Sequence, residues 1–362
     1  MSMSTDRFLN LFPTPAFLRM PAVGVDISDK AIRYVAFKRK DGRLRVASFG
    51  ERQLPSSLVG KENVAKEAAL KDILKKMRGE VGLYYVNASL PEEKAYLFKT
   101  EISETAKSEI RTTLELRLEE FVPLKASEAF FDYDLIPESG HTGGHLDISV
   151  SVLPKSTVND YLGLFLASSL MPLSFEVEAQ AVARSVIRKG DRRTHMLVNI
   201  GKTKTGLAIV SDEVVHFTST IPIGGDSLTA AVEKHRNVSF AEAEKIKKEL
   251  GLIASQKDTE LFFSLMSILS VLRDEMNRLN QYWSTRKHIN GEERKIDLVV
   301  FSGSEAALPG FDEYFSMSFR TPVELANVWT NVASFDEYIP PIPFVSSLDY
   351  AAAIGLGLSR LI

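Results

Sequence analysis

The chain has 362 residues, 44% of them hydrophobic and 25% charged, which is enough for two or more domains with sizeable cores. A net charge of -3 supplies no general electrostatic footprint for nucleic acid, and the absence of cysteine removes disulfides, thiolate metal sites and thiol nucleophiles together. No run reaches the ~18 consecutive apolar residues of a membrane span.

The first twenty residues hold an apolar arm, 8–18, broken by Pro13 and Pro15 and without a small-residue cleavage site. It reads as an arm that packs on its own domain or on a partner, the former favoured, and not as a signal peptide. Residues 23–27 form a short strand with Gly24 and Asp26 inside it, followed by a small polar turn and a returning β-branched strand. A carboxylate on an apolar strand needs a partner, and such a turn can present backbone N–H groups to a ligand. Asp41-Gly42 predicts the next turn, residues 63–77 a helix, and 81–90 a strand that Pro91 ends.

The texture then changes. A strand over 95–102 leads into a helix capped by Ser103, with Glu104 in its first turn and Ile110, Leu114, Leu118 and Phe121 on its apolar face. Strands 130–136 and 146–153 flank a Gly-rich turn, and a second amphipathic helix covers 157–170. This block reads as a small α+β insert with its own core. A strand at 172–176, a helix at 177–188 and a polar linker close the first half.

Residues 196–210 repeat the opening logic, with strand, polar Asn199, Gly201, tight turn and returning strand. A third strand covers 214–221. Gly224-Gly225 starts a helix whose first N–H groups have no helical partner. A charged helix over 240–250 is closed by Gly251. The long periodic segment 258–284 has a broad apolar stripe, which favours a helix packed across a domain over a coiled-coil strand. A buried strand at 295–302 opens into Gly303-Ser304, a helix starts at Pro309-Gly310, and 323–325 is a short strand. After Pro340, Pro341 and Pro343 the chain ends in an apolar, glycine-containing helix over 350–361.

Several signatures are excluded. Gly201-Lys202-Thr203 resembles the end of a P-loop, but Met196 stands where that motif needs glycine. Gly355-Leu356-Gly357 has Arg360 where a dinucleotide fingerprint has its third glycine. There is no Gly-x-Ser-x-Gly elbow. His141 and His145 read as turn residues and not as a metal pair. What remains is a duplicated strand-turn-strand and a late Gly-rich strand end, which together could hold a nucleotide across a cleft.

The order of these pieces resembles the actin-like ATPase superfamily, and within it the PilM proteins of type IV pilus assembly, with the FtsA cell-division proteins next. Gly24-Val25-Asp26-Ile27-Ser28 looks like the first phosphate motif and Val198-Asn199-Ile200-Gly201 like the second. Glu178-Ala179-Gln180-Ala181 looks like the first connecting helix, Phe301-Ser302-Gly303-Ser304 like the adenosine motif, and Ala352–Gly357 like the second connecting helix. In the insert, Arg117–Leu124 and Phe131-Asp132-Tyr133 are similar to the PilM small subdomain.

The resemblance implies an α/β fold of two actin-like, ribonuclease-H-like halves around a nucleotide cleft. The implied division is an arm at 1–20, a first half at 21–92, an insert at 93–170 and a connecting helix with linker at 171–194. The second half then spans 195–344 and a second connecting helix 345–362. It implies a cytoplasmic adaptor, peripheral to the inner membrane through a partner, that binds ATP with Mg²⁺ and the N-terminal cytoplasmic tail of a PilN-like membrane protein. Nucleic acid is not an expected partner, contact with the membrane is only indirect, and self-association is left open. Asp26 would hold Mg²⁺ through water. Ser28, Lys30, Asn199, Gly201, Lys202, Thr203, Gly224, Gly225 and Asp226 would meet phosphate or ribose, and Glu244, Lys247, Gly303 and Ser304 the nucleoside. Glu178 would orient an attacking water. Three departures weaken hydrolysis in this reading: Ser28-Asp29 replaces small residues in the first turn, Asn199 replaces a carboxylate, and Ser304 replaces a glycine. The alternatives are an FtsA-like filament protein and a small-molecule kinase of the same superfamily.

Overall fold

The computed structural model describes residues 22–55, 64–82, 84–103, 109–136, 145–255, 258–285 and 294–361. The expected N-terminal arm, the first turn of the helix after Ser103, and His141 with its Gly-rich turn lie outside the described residues.

Strands β1 (Val23–Ile27), β2 (Ala31–Lys40) and β3 (Arg43–Gln53) form an antiparallel meander. Asp41 and Gly42, both at positive φ, make the tight turn between β2 and β3. Helix α1 (Val64–Val81) then crosses to β4 (Tyr85–Leu90), which lies parallel to β1 on its free side. The insert follows: β5 (Tyr96–Ser103), α2 (Ile110–Phe121), β6 (Ala129–Leu135) and β7 (His145–Pro154), paired in the order β5-β7-β6. Helix α3 (Lys155–Ala167) leads to β8 (Met171–Val177), which completes the first sheet as β3-β2-β1-β4-β8, and α4 (Glu178–Val186) leaves that sheet.

The second half repeats this plan. Strands β9 (His195–Ile200), β10 (Thr205–Ser211) and β11 (Val214–Ile221) form the meander. Helices α5 (Gly225–Arg236), α6 (Phe240–Ser255) and α7 (Thr259–Thr285) lead to β12 (Leu298–Ser302), parallel to β9. Helix α8 (Phe311–Ser318) leads to β13 (Val323–Leu325), so the sheet order is β11-β10-β9-β12-β13. Helices α9 (Phe344–Ser347) and α10 (Ala351–Leu358) end the described fold.

Each half buries its own core. Leu261, Leu265, Leu272, Met276 and Trp283 of α7 pack on Met196, Val198 and Phe301, so the broad stripe of that helix is filled by its own half. In the insert, Ile110, Leu114 and Leu118 of α2 pack on Ile148, Val150 and Val152 of β7. The expected insert extends through residue 170, but Leu164 and Phe165 of α3 join Leu74, Met77 and Val86 in the core of the first half. The insert's own core therefore closes with β7. Ser149 on β7 donates to the Val215 carbonyl of β11 at 3.0 Å, seating the insert against the second half.

A fourth core among the described residues joins the halves. All eight residues of α10 are buried, and the helix passes between β1 and α4. The approach is too close for side chains at two glycines: a Cβ on Gly24 would overlap the Ala353 carbonyl, and one on Gly355 would overlap the Ala181 carbonyl. The crossing of α4 and α10 thus ties the two sheets together with the phosphate-type turns facing each other.

Candidate functional site

The turn between β1 and β2 and the turn between β9 and β10 face each other across a cleft. Asp26, at the end of β1, is 5% exposed, and its Oδ1 accepts a 2.6 Å hydrogen bond from Ser89 on β4. That is the partner its position on an apolar strand requires. Burial raises its pKa, opposed by Ser89, Arg33 and Lys204. Ser28 closes its turn on itself: its N–H and its hydroxyl both donate to the Ala31 carbonyl at 2.9 Å. Asn199, the counterpart on β9, is used at both ends. Its Nδ2 donates to Glu178 Oε1 at 2.9 Å, and its Oδ1 accepts from Ser302 at 3.0 Å. Glu178 starts α4 and points into the same space. Burial, then the charges of Asp26 and Glu92, push its pKa up to about 8, against the pull of Lys204.

Further side-chain bridges span the cleft. Thr203 donates to Asp29 at 2.6 Å, and Lys30 pairs with Asp226. Lys204 pairs with Glu93 at 2.8 Å, and Thr220 donates to Glu92 at 3.0 Å. Glu92 is 6% exposed, and burial raises its pKa to about 7, opposed by Thr220 and Lys204.

Deeper in the second half lies a quartet of charges. Lys247 Nζ sits 2.6 Å from Glu305 Oε2 and 2.8 Å from Glu244 Oε2. Lys202 Nζ sits 2.8 Å from Glu244 Oε1 and also pairs with Glu305. Burial opposes the charges of Lys202 and Glu244. Glu305 and Glu244 nevertheless raise the Lys202 pKa, and hydrogen bonds from Lys202, Lys247 and Thr229 lower that of Glu244.

The structure thus brings the expected residues to one region but turns them on each other. The N–H groups of Gly225 and Asp226, expected to meet phosphate, donate to the carbonyls of Gly201 and Lys202 at 3.0 and 2.8 Å. A Cβ on Gly225 would overlap the Glu305 carboxylate, and one on Gly303, which has φ +84°, would overlap the Ile200 carbonyl. Both glycines make room for the chain itself. Ser304 donates its N–H to Asp349 at 2.8 Å. Sequence reasoning missed Ser89, Glu92, Glu93, Lys204 and Glu305. Glu305 carried one signal, a charge directly after the Gly303-Ser304 motif.

These residues, as arranged, do not fit ATP with Mg²⁺. The cleft encloses about 130 Å³, below the ~300–1,000 Å³ of sites that bury drug-sized ligands. Among the described residues no three His, Asp or Glu side chains converge as a metal site. Each cleft lysine named above faces a carboxylate.

A second concavity lies on the far side of α4. It is a groove of about 770 Å³ between the insert, β8 with α4, and the β10–β11 hairpin. Among the described residues, strands β6 and β8 are each paired on one side only, so two sheet edges border it. Leu153, Val177, Ala183, Ile187 and Val215 supply apolar surface, and Asp132, Asp134, Asp212 and Glu213 add acidic groups. Burial raises the pKa of Asp134, helped by Asp132.

The family model of the type IV pilus assembly protein PilM matches residues 24–361. The chain belongs to this PilM family. A solved PilM-PilN type IV pilus biogenesis complex is similar in structure, with TM-score 0.74 and 18% identity over 94% of this chain and 98% of that one. MreB 5 of Spiroplasma citri bound to AMPPNP gives TM-score 0.54 and 13% identity over 94% and 96% of the two chains. The ethanolamine utilization protein EutJ from Carboxydothermus hydrogenoformans gives 0.53 and 16% over 96% and 91%. The actin-like fold of two related halves is thereby shared with PilM, MreB and EutJ.

Proposed function

We propose that this PilM-family chain is an adaptor of the type IV pilus assembly platform, and that its groove receives the extended N-terminal cytoplasmic tail of a PilN-like inner-membrane protein. The observation that carries this reading is the pair of open strand edges, β6 and β8, along one groove with apolar lining. An extended peptide can add to such an edge through main-chain hydrogen bonds while alternate side chains enter the floor. The volume of about 770 Å³ suits a few residues of such a tail. The partner in the similar PilM-PilN complex supports a PilN-type occupant.

In this reading the protein works at the cytoplasmic face and meets the membrane only through its partner. No helix among the described residues is long and apolar enough to cross a membrane. ATP and Mg²⁺ are the ligands the resemblance implies for the cleft, with Asp26 nearest the metal. Because the cleft residues engage one another, tail binding in the groove does not call on a nucleotide.

Titration calorimetry of the full chain with a synthetic tail peptide tests the proposal. Saturable one-to-one binding that a bulky side chain in the groove abolishes is the expected result. Binding that survives a blocked groove sinks it.

A further inference from the structure

A triphosphate entering an actin-like cleft needs cations to receive it and amide donors to cradle it. In this chain the cleft lysines and the first amides of α5 are already committed. Lys30 pairs with Asp226, Lys204 with Glu93, Lys202 with Glu244 and Glu305, and Lys247 with the same two carboxylates. The first amides of α5 donate to the carbonyls of the β9–β10 turn. Glu305 is 2% exposed, and Gly225 provides the space that its carboxylate fills. The bridges from Asp29, Lys30, Glu92 and Glu93 to the second half join the two halves directly.

We infer that the two halves close on each other without a nucleotide, with the Glu305 carboxylate as the resident anion of the second half's lysines and the cross-cleft side chains as the latch. ATP with Mg²⁺ enters this cleft only by displacing ligands that belong to the chain. The inference concerns the cleft alone and stands apart from tail binding in the groove.

The test is small-angle scattering and thermal melting of the full chain, stripped of nucleotide, with and without ATP·Mg²⁺. A fluorescent ATP analogue is titrated in parallel into wild type, Glu305→Ala and Glu305→Gln. The expected wild-type result is an unchanged radius of gyration and a melting shift under ~1 °C at millimolar ATP, since a ligand without differential affinity adds no stability. Removing the Glu305 charge is expected to tighten analogue binding at least ~10-fold, because two lysines are then left to share the single carboxylate of Glu244. The glutamine variant keeps the side-chain volume if the alanine variant does not fold. Compaction of the stripped wild type on adding ATP, a melting rise of several degrees, or folded variants that bind no tighter than wild type would overturn the inference. Tail-peptide binding on the same preparations is expected to be unaffected, so failure here is told apart from failure of the groove.

Discussion

The cleft and the groove lie on opposite sides of α4, and they differ in how far their polar groups are satisfied. In the cleft, carboxylates, lysines and turn amides face one another within about 130 Å³. In the groove, two strand edges stand open along about 770 Å³ of partly apolar surface. The part of the chain that most resembles a nucleotide machine therefore has its lysines already paired within the chain. The part bordered by Phe131-Asp132-Tyr133 has the backbone that a partner can use. Helix α4 separates the two, with Glu178 on the cleft side and Ala183 and Arg184 on the groove side.

The strongest way to break the contrast is to uncouple the buried quartet. Lys247 and Glu305 are 3% and 2% exposed, and removing Lys247 leaves the buried Glu305 and its neighbour Glu244 to share Lys202, a loss that for a broken buried pair costs about 3–5 kcal/mol. Lys247→Met is expected to lower the unfolding free energy in urea by about that much. A loss under ~1 kcal/mol would mean that the quartet is solvated like a surface pair.

The groove is probed next. Ser151 lies on β7 opposite Asp132 and lines the groove. Ser151→Trp is expected to weaken tail-peptide binding at least ~100-fold, or ~2.7 kcal/mol, by filling the floor. Calorimetry reads the affinity, and melting of the same sample reports whether the fold is kept.

The buried acids make the cleft side sensitive to pH. Glu178 titrates near pH 8 and Glu92 near pH 7, both above the ordinary carboxylate range, while Asp26, Glu93 and Lys204 face Glu178. The native state therefore holds protons that the unfolded chain has released. Stability is fully present below about pH 4.5 and falls as pH rises through 7 and 8, by up to about 1.4 kcal/mol per pH unit for each proton. Glu178→Gln keeps an acceptor for Asn199 and is expected to flatten the fall between pH 6 and 8. An unchanged slope in urea titrations would contradict the burial of that carboxyl.

The smallest effect belongs to a single bridge. Lys30 and Asp226 are each a little over one-quarter exposed, so Lys30→Ala is expected to change stability by no more than about 1 kcal/mol. A larger loss would make that one bridge, and not the set, the latch.

Much of the architecture was legible in the residues. The strand-turn-strand around Asp26 and its near-copy around Asn199 predicted the two halves. Gly251 at φ +57° interrupts α6 where its sequence position predicted a stop. The limits of the insert were less legible, because only the tertiary fold shows that Leu164 and Phe165 leave it for another core. Within the cleft, residue types and region were readable, but pairing was not. The Lys247–Glu305 pair joins positions 58 residues apart, and Lys204 meets Glu93 across the molecule. No local periodicity encodes such pairs. The groove's defining feature, two strands each paired on one side, exists only once the sheet orders are known.

Hydrogen exchange on the full chain, with and without the tail peptide of a PilN-like protein, tests the central claim most directly. The account predicts slowed exchange along β6 and β8, with the turns around Asp29 and Thr203 unchanged. Protection confined to those turns, or no protection at either strand edge when the peptide is saturating, would contradict it.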